Sequence, residues 1–264
     1  MRKERYTYTD LLSIMSRLRA PDGCPWDREQ DHESLKRYLI EETYEVLEAI
    51  DQKDPKKLCD ELGDLLLQVV FHAQIAGENG QFTMDDVYHG VSAKMVNRHR
   101  HVFGDEKAEN SDDVLKIWEE VKKDEKGHAT QTQALMDVPP HLPALMRSYK
   151  VQQKAAQVGF DWDDPRDALL KVREETDEVL EAMEKGDAGK VEEEIGDLLF
   201  AVVNVSRFAK VQPELALGAT VKKFIRRFEH VEKRSREMGM ELTSMTLAEM
   251  DKLWDEAKEL ERKS

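Results

Sequence analysis

The chain has only two cysteines in 264 residues, Cys24 and Cys59, with neither metal-type spacing nor a disulfide framework, so a reducing, cytoplasmic setting is expected. Long apolar runs are missing too. The longest, such as Leu198–Val203, fall far short of a bilayer span, and Met1-Arg2-Lys3-Glu4-Arg5 leads into polar residues, not a signal-peptide core. No membrane association is therefore expected. Positive charge is in deficit: 40 Lys and Arg stand against 55 Asp and Glu, a net charge of -15. That argues against nonspecific nucleic-acid binding, which needs a basic surface, but leaves room for a phosphate ligand held through metal ions. Glycine and proline are sparse at 13 and 8, and 40% hydrophobic with 36% charged residues suits a soluble, helix-rich protein of one large or two ordinary domains.

What the chain has in abundance is acid, and it writes one acidic constellation twice. Glu41-Glu42-Thr43-Tyr44-Glu45 precedes Glu61-Leu62-Gly63-Asp64, and Glu174-Glu175-Thr176-Asp177-Glu178 precedes Glu194-Ile195-Gly196-Asp197, all five acids recurring at an offset of 133. The surrounding stretches Glu61–Val70 and Glu194–Val203 agree at seven of ten positions. Lys94–Arg98 resembles Lys223–Arg227, and Ile117–Lys122 resembles Leu253–Lys258, in the same order. Tandem duplication is the simplest account. It predicts an N-terminal domain over 1–130, a linker over 131–142 within the Pro- and Gln/Thr-rich stretch 127–143, and a C-terminal domain over 143–264.

Helical periodicity predicts an all-α fold. The segments are Asp10–Arg19, Ser34–Asp51, Pro55–Glu78, Met84–Val102 and Ser111–Lys126 in the first half. Pro143–Val158, Pro165–Lys185, Lys190–Lys210, Pro213–Met238 and Thr246–Arg262 follow in the second. Turns at Gln52–Asp54 and Gly186–Gly189 make the two acid-bearing helices of each half antiparallel neighbours. At about 100° per residue, Glu41, Glu42 and Glu45 fall beside the apolar arc of their helix. Leu62–Phe71 is apolar almost all round, as in a buried helix, apart from a stripe of Glu61, Asp64, Gln68 and His72.

The pair can thus gather Glu42, Glu45, Glu61 and Asp64, and in the second half Glu175, Glu178, Glu194 and Asp197. Four close carboxylates need countercharge, and hard oxygen ligands without His or Cys favour Mg²⁺, with Mn²⁺ as substitute, over zinc. A di-iron site would want Glu-x-x-His, whereas Asp64 and Asp197 occupy that spacing. A lone Glu-x-x-Glu is usually a solvated helix face; coincidence on facing helices, and duplication, set this one apart. Cations recur in equivalent places: Lys57 and Lys190 one turn before Glu61 and Glu194, Lys94 and Arg98 matching Lys223 and Arg227, each suited to phosphate. Trp118 and Trp254 close the halves, as core packing or against a base.

Together, the EExxE-spacer-ExxD pattern in a tandem helical chain resembles the MazG family of nucleoside triphosphate pyrophosphohydrolases. Gly23-Cys24-Pro25-Trp26-Asp27, Gly159-Phe160-Asp161-Trp162 and Arg98-His99-Arg100-His101-Val102-Phe103 look like that family as well, and the resemblance spans essentially the whole chain. It implies tandem helical bundles of the all-α NTP pyrophosphatase type, completed by pairing in a homodimer. It implies cleavage of a nucleoside triphosphate, ribo or deoxyribo, between the α and β phosphates to a monophosphate and pyrophosphate, a role in nucleotide-pool housekeeping. The family's Mg²⁺ ligands carry over to Glu175, Glu178, Glu194 and Asp197, and to Glu42, Glu45, Glu61 and Asp64. Its triphosphate contacts look similar to Lys171, Lys190, Lys223, Arg226 and Arg227, with Trp254 near the nucleotide.

A metal can neutralise the triphosphate and activate water, and Glu174 or Glu41 by position can orient or deprotonate that water. Both halves keep all five acids, but Tyr38 stands opposite Lys171 and Asn97 opposite Arg226, so the second half is expected to carry most activity. The rivals are a regulator that binds nucleotide without cleaving it, a metal-buffering or structural helical protein, and a narrow dUTP hydrolase. No residue reads as a base-edge hydrogen-bonding pair.

Overall fold

The computed structural model describes residues 3–263, and every regular element among them is helical. The chain divides into two compact units between Lys126 and Gly127. The first contains α1 (Tyr8–Arg19), α2 (Pro25–Glu29), α3 (Lys36–Gln52), α4 (Pro55–Glu78), α5 (Met84–Arg98), α6 (Arg100–Phe103) and α7 (Ser111–Lys126). The second contains α8 (Gln131–Met136), α9 (Ala144–Ala156), α10 (Pro165–Lys185), α11 (Ala188–Phe208), α12 (Pro213–Glu237) and α13 (Leu247–Lys263), with a 3-10 turn at Leu242–Ser244.

Local chemistry sets the helix ends. Asp10 lies at the third helical position of α1, where its carboxylate accepts from the Thr7 backbone N–H at 2.9 Å; Thr7 is the cap, so the helix begins earlier than periodicity predicts. Ser34 falls in the turn before α3. Asp54 and Asp187 cap α4 and α11 by accepting backbone N–H bonds, from Lys56 and Lys57 in one case and from Lys190 in the other. The α3–α4 and α10–α11 turns each need one left-handed residue, supplied by Lys53 (φ 53°) and Gly186 (φ 69°). These short turns make α3/α4 and α10/α11 the tightest helix pairs of their units. The stretch Met84–Val102, expected as one helix, breaks at His99, whose ring bonds back to the Met95 carbonyl.

In the first unit, Met15, Leu35, Val70, Phe71, Ala73, Ile75 and Met84 form the core between α1, α4 and α5. In the second, α9 lies against α11 and α12, and Val231, Met245 and Leu253 lock α12 to α13. The segment expected as a linker is structured: Gln131–Met136 is a helix with a Thr130 cap, packed on α9, and Val138 is fully buried.

The expectation of a buried Leu62–Phe71 helix is corrected. Val70 and Phe71 are buried, but Leu62 is 48% exposed, and Leu66 and Val69 are open to solvent. The duplicate behaves alike, with Leu199 51% exposed and Ile195, Phe200 and Val202 also open. All-round apolarity requires an apolar neighbour on each side, but not one from the same unit. No helix among the described residues is long and apolar enough to cross a membrane.

Candidate metal and phosphate site

Each helix pair gathers three of its four predicted ligands. Carboxylate oxygens of Glu42, Glu45 and Glu61 lie within 4.8 Å of one another in the first unit, and those of Glu175, Glu194 and Asp197 do so in the second. The fourth acid adjoins each set. Asp64 acts on Glu42, whose carboxyl is pushed up chiefly by burial and then by Asp64, Glu45 and its other acidic neighbours. Glu178 stands beside Glu175, and that neighbouring carboxyl is the main reason its own is held above the ordinary range.

The two clusters differ in how their charge is answered. Glu175 is 4% and Glu194 5% exposed, and each meets a lysine: Lys171 Nζ lies 2.6 Å from Glu175 and 2.7 Å from Glu174, while Lys190 Nζ lies 2.7 Å from Glu194 and 3.2 Å from Glu193. Both lysines are held strongly in their charged form by these carboxylates. In the first unit, Lys57 reaches back 2.8 Å to Glu48 instead of forward to Glu61. Burial, then Glu45, pushes the Glu61 carboxyl up. Tyr38, at the register of Lys171, takes the Arg37 guanidinium over its ring and stands edge-on to Trp26.

A divalent cation suits both clusters on the chemistry of the donors. All are carboxylate oxygens, and Glu175 Oε2 is buried without a hydrogen-bond partner. A buried anionic oxygen in that state calls for a cation or a proton. Glu41 and Glu174, the candidate bases, are exposed at the margin of each cluster, and Lys171 engages Glu174.

The remaining cations gather around the tryptophans. Arg227 lies 5.7 Å from the Trp254 ring centre and bonds Glu261 Oε2 at 2.7 and 2.9 Å, while Arg226 holds the other oxygen of Glu261. Arg98 repeats this, 5.6 Å from the Trp118 ring and 3.0 Å from Glu125. Arginine bonding holds both Glu261 and Glu125 carboxyls below their usual range. Trp254 also packs 5.0 Å from Phe224 beside the α12–α13 core, and Trp118 stands edge-on to His99. Lys94 and Lys223 are exposed on α5 and α12. Within a unit, then, the helices assemble an acidic group with its lysines and, separately, an arginine–tryptophan–glutamate group.

Glu48, Glu125 and Glu261 were missed as partners of the predicted cations. The last two had a signal: each lies seven residues, two helical turns, beyond its tryptophan.

The MazG nucleotide pyrophosphohydrolase domain matches residues 30–103 and again residues 164–232, so the family pattern falls on both acidic helix pairs. The chain is 45% identical over 258 residues to the nucleoside triphosphate pyrophosphohydrolase/pyrophosphatase MazG of Thermotoga maritima, covering 98% of each chain. It is 47% identical to the nucleoside triphosphate pyrophosphohydrolase of Escherichia coli, covering 95% of this chain and 97% of that one. It is also 51% identical to the uncharacterized protein YabN of Bacillus subtilis, spanning 98% of this chain and 53% of YabN. The chain belongs to the MazG family.

Proposed function

From that membership and from the twice-built carboxylate cluster, we propose that the protein is a Mg²⁺-dependent nucleoside triphosphate pyrophosphohydrolase, releasing pyrophosphate and a nucleoside monophosphate. The observation that carries this is the group Glu175, Glu194 and Asp197, closed within 4.8 Å and retaining an unpartnered buried oxygen on Glu175. Bound Mg²⁺ would supply charge neutralisation of the triphosphate and an activated water.

The protein's own residues do the rest. Glu175, Glu178, Glu194 and Asp197 hold the cation between α10 and α11, as Glu42, Glu45, Glu61 and Asp64 do between α3 and α4. Lys171 and Lys190 already touch these acids and transfer to phosphate oxygens when substrate and metal arrive. That exchange frees Glu174 from Lys171, and its carboxylate takes the proton of the attacking water. Lys223, Arg226, Arg227 and Trp254, with Lys94, Arg98 and Trp118 in the first unit, supply the outer phosphate and nucleotide contacts. The second unit carries most of the activity, because lysines accompany both of its buried acids.

A second copy of this chain covers the open apolar faces of α4 and α11. On α4, Leu62 and Leu66 are exposed, and on α11 so are Ile195, Leu199 and Phe200, apolar side chains of the kind that obligate interfaces bury. The deciding assay is a panel of ribo- and deoxyribonucleoside triphosphates with Mg²⁺, with products separated. Monophosphate and pyrophosphate are expected; orthophosphate and a diphosphate would overturn the assignment.

A further inference from the structure

Arg226 and Arg227 are consecutive on α12, and consecutive helical positions diverge by about 100°, so the two side chains leave the helix in different directions. Their like charges also repel. They nonetheless converge on one carboxylate. Glu261 of α13 takes Nε and Nη2 of Arg226 on Oε1, and the same two nitrogens of Arg227 on Oε2. Arg227 has a second support in the Trp254 ring, and its side chain is 18% exposed. The Arg226 side chain is 62% exposed, so its direction is set by the bonds to Glu261. Both arginines spend the same edge on the carboxylate. Nη1 and the outer N–H of Nη2 remain on each, a second fork that matches the oxygens of a phosphate. The three residues line a cleft of about 480 Å³ together with His230 and Lys233.

We propose that Glu261 is a positioning residue for the triphosphate: it turns two divergent arginines into one two-pronged anion receptor, and touches no substrate itself. An ion pair this close to solvent adds little to stability, but it removes the freedom that two long side chains would otherwise lose on binding phosphate. Glu125 does the same for one arginine of the first unit, taking Nε and Nη2 of Arg98. The neighbour of Arg98 is Asn97, so that unit presents a single prong.

The proposal rests on the pyrophosphohydrolase reading, and its test separates the two. Glu261→Gln keeps the size of the side chain, but the amide turns a donor towards one of the guanidiniums. In a Glu45→Ala background, this change should raise KM for ATP with Mg²⁺ about tenfold and leave kcat within about twofold. Binding of α,β-methylene-ATP with Mg²⁺, which needs no turnover, should weaken by the same factor. With Arg226→Ala and Arg227→Ala already in place, Glu261→Gln should alter neither constant by more than about twofold, because the groups it acts through are gone. An unchanged KM, a loss confined to kcat, or an equal effect with and without the arginines overturns the proposal. Absence of pyrophosphate from every triphosphate with the wild type instead overturns the underlying activity.

Discussion

Lys190 places its Nζ 2.7 Å from Glu194, one turn along the same face of α11, whereas Lys57, at the same register of α4, turns back 2.8 Å to Glu48. One acidic cluster is therefore answered by lysine in the ligand-free fold, and the other stands with Glu42 and Glu61 pushed up by burial and then by acidic neighbours, Asp64 foremost for Glu42 and Glu45 for Glu61.

The first prediction concerns metal. With raised folded-state values, ionising Glu42 and Glu61 opposes folding, so their contribution is lost as pH rises through the range where they ionise. A cation reverses that loss. At pH 7 and a hundredfold excess over Kd, Mg²⁺ should raise the first unit's stability by about 2.7 kcal/mol, and at pH 5 the same concentration should raise it by less. Thermal melts with and without Mg²⁺ check this, and Glu42→Gln should abolish much of the difference.

The second concerns the division of labour. Glu178→Ala should lower pyrophosphate release by about a hundredfold or more, the scale of a lost electrostatic group at a reacting centre. Glu45→Ala should cost only a small fraction of total activity. A larger loss from Glu45→Ala assigns the chemistry to the first unit.

The third concerns assembly. Light scattering should give a homodimer or a larger even assembly, and combining Leu66→Glu with Leu199→Glu should shift it towards monomer by placing charges on both open faces. A wild-type monomer at micromolar concentration would sink the pairing.

The fourth uses His32 and His72, whose Nδ1 atoms lie 2.8 Å apart with the rings stacked, so one donates and the other accepts. Burial, then His32, holds His72 below its ordinary value of 6.5. A depressed histidine disfavours its charged form in the fold. Stability is thus full above about pH 6.5 and declines as pH falls from there to the lowered folded value, then levels. Melts across pH 4.5–8 should show this slope, and His72→Phe should flatten it.

The acids and their helices were legible because carboxylates beside apolar arcs are informative and the duplication gives every spacing a control. Pro55–Glu78 and Pro165–Lys185 match the expected ends, each opening on a proline after a capping aspartate. Burial of Leu62 and Leu199 was not legible, since periodicity reports which faces are apolar but not whose surface covers them. The choice of Lys57 between Glu48 and Glu61 was equally hidden, because a flexible lysine has acids within reach on two helices. Gln152 and Phe200 lie far apart in sequence and meet only through the packing of α9 on α11.

Lys53 and Gly186 hold the same left-handed corner in the two units. A side chain in that conformation costs about 1–2 kcal/mol relative to right-handed backbone, and glycine escapes most of it. The duplicated turns therefore differ in mutational tolerance. In a saturation library selected for thermal survival, glycine should be enriched at 53, whereas at 186 nearly every replacement except asparagine should be purged. The two copies have diverged in how much sequence freedom the same corner leaves them.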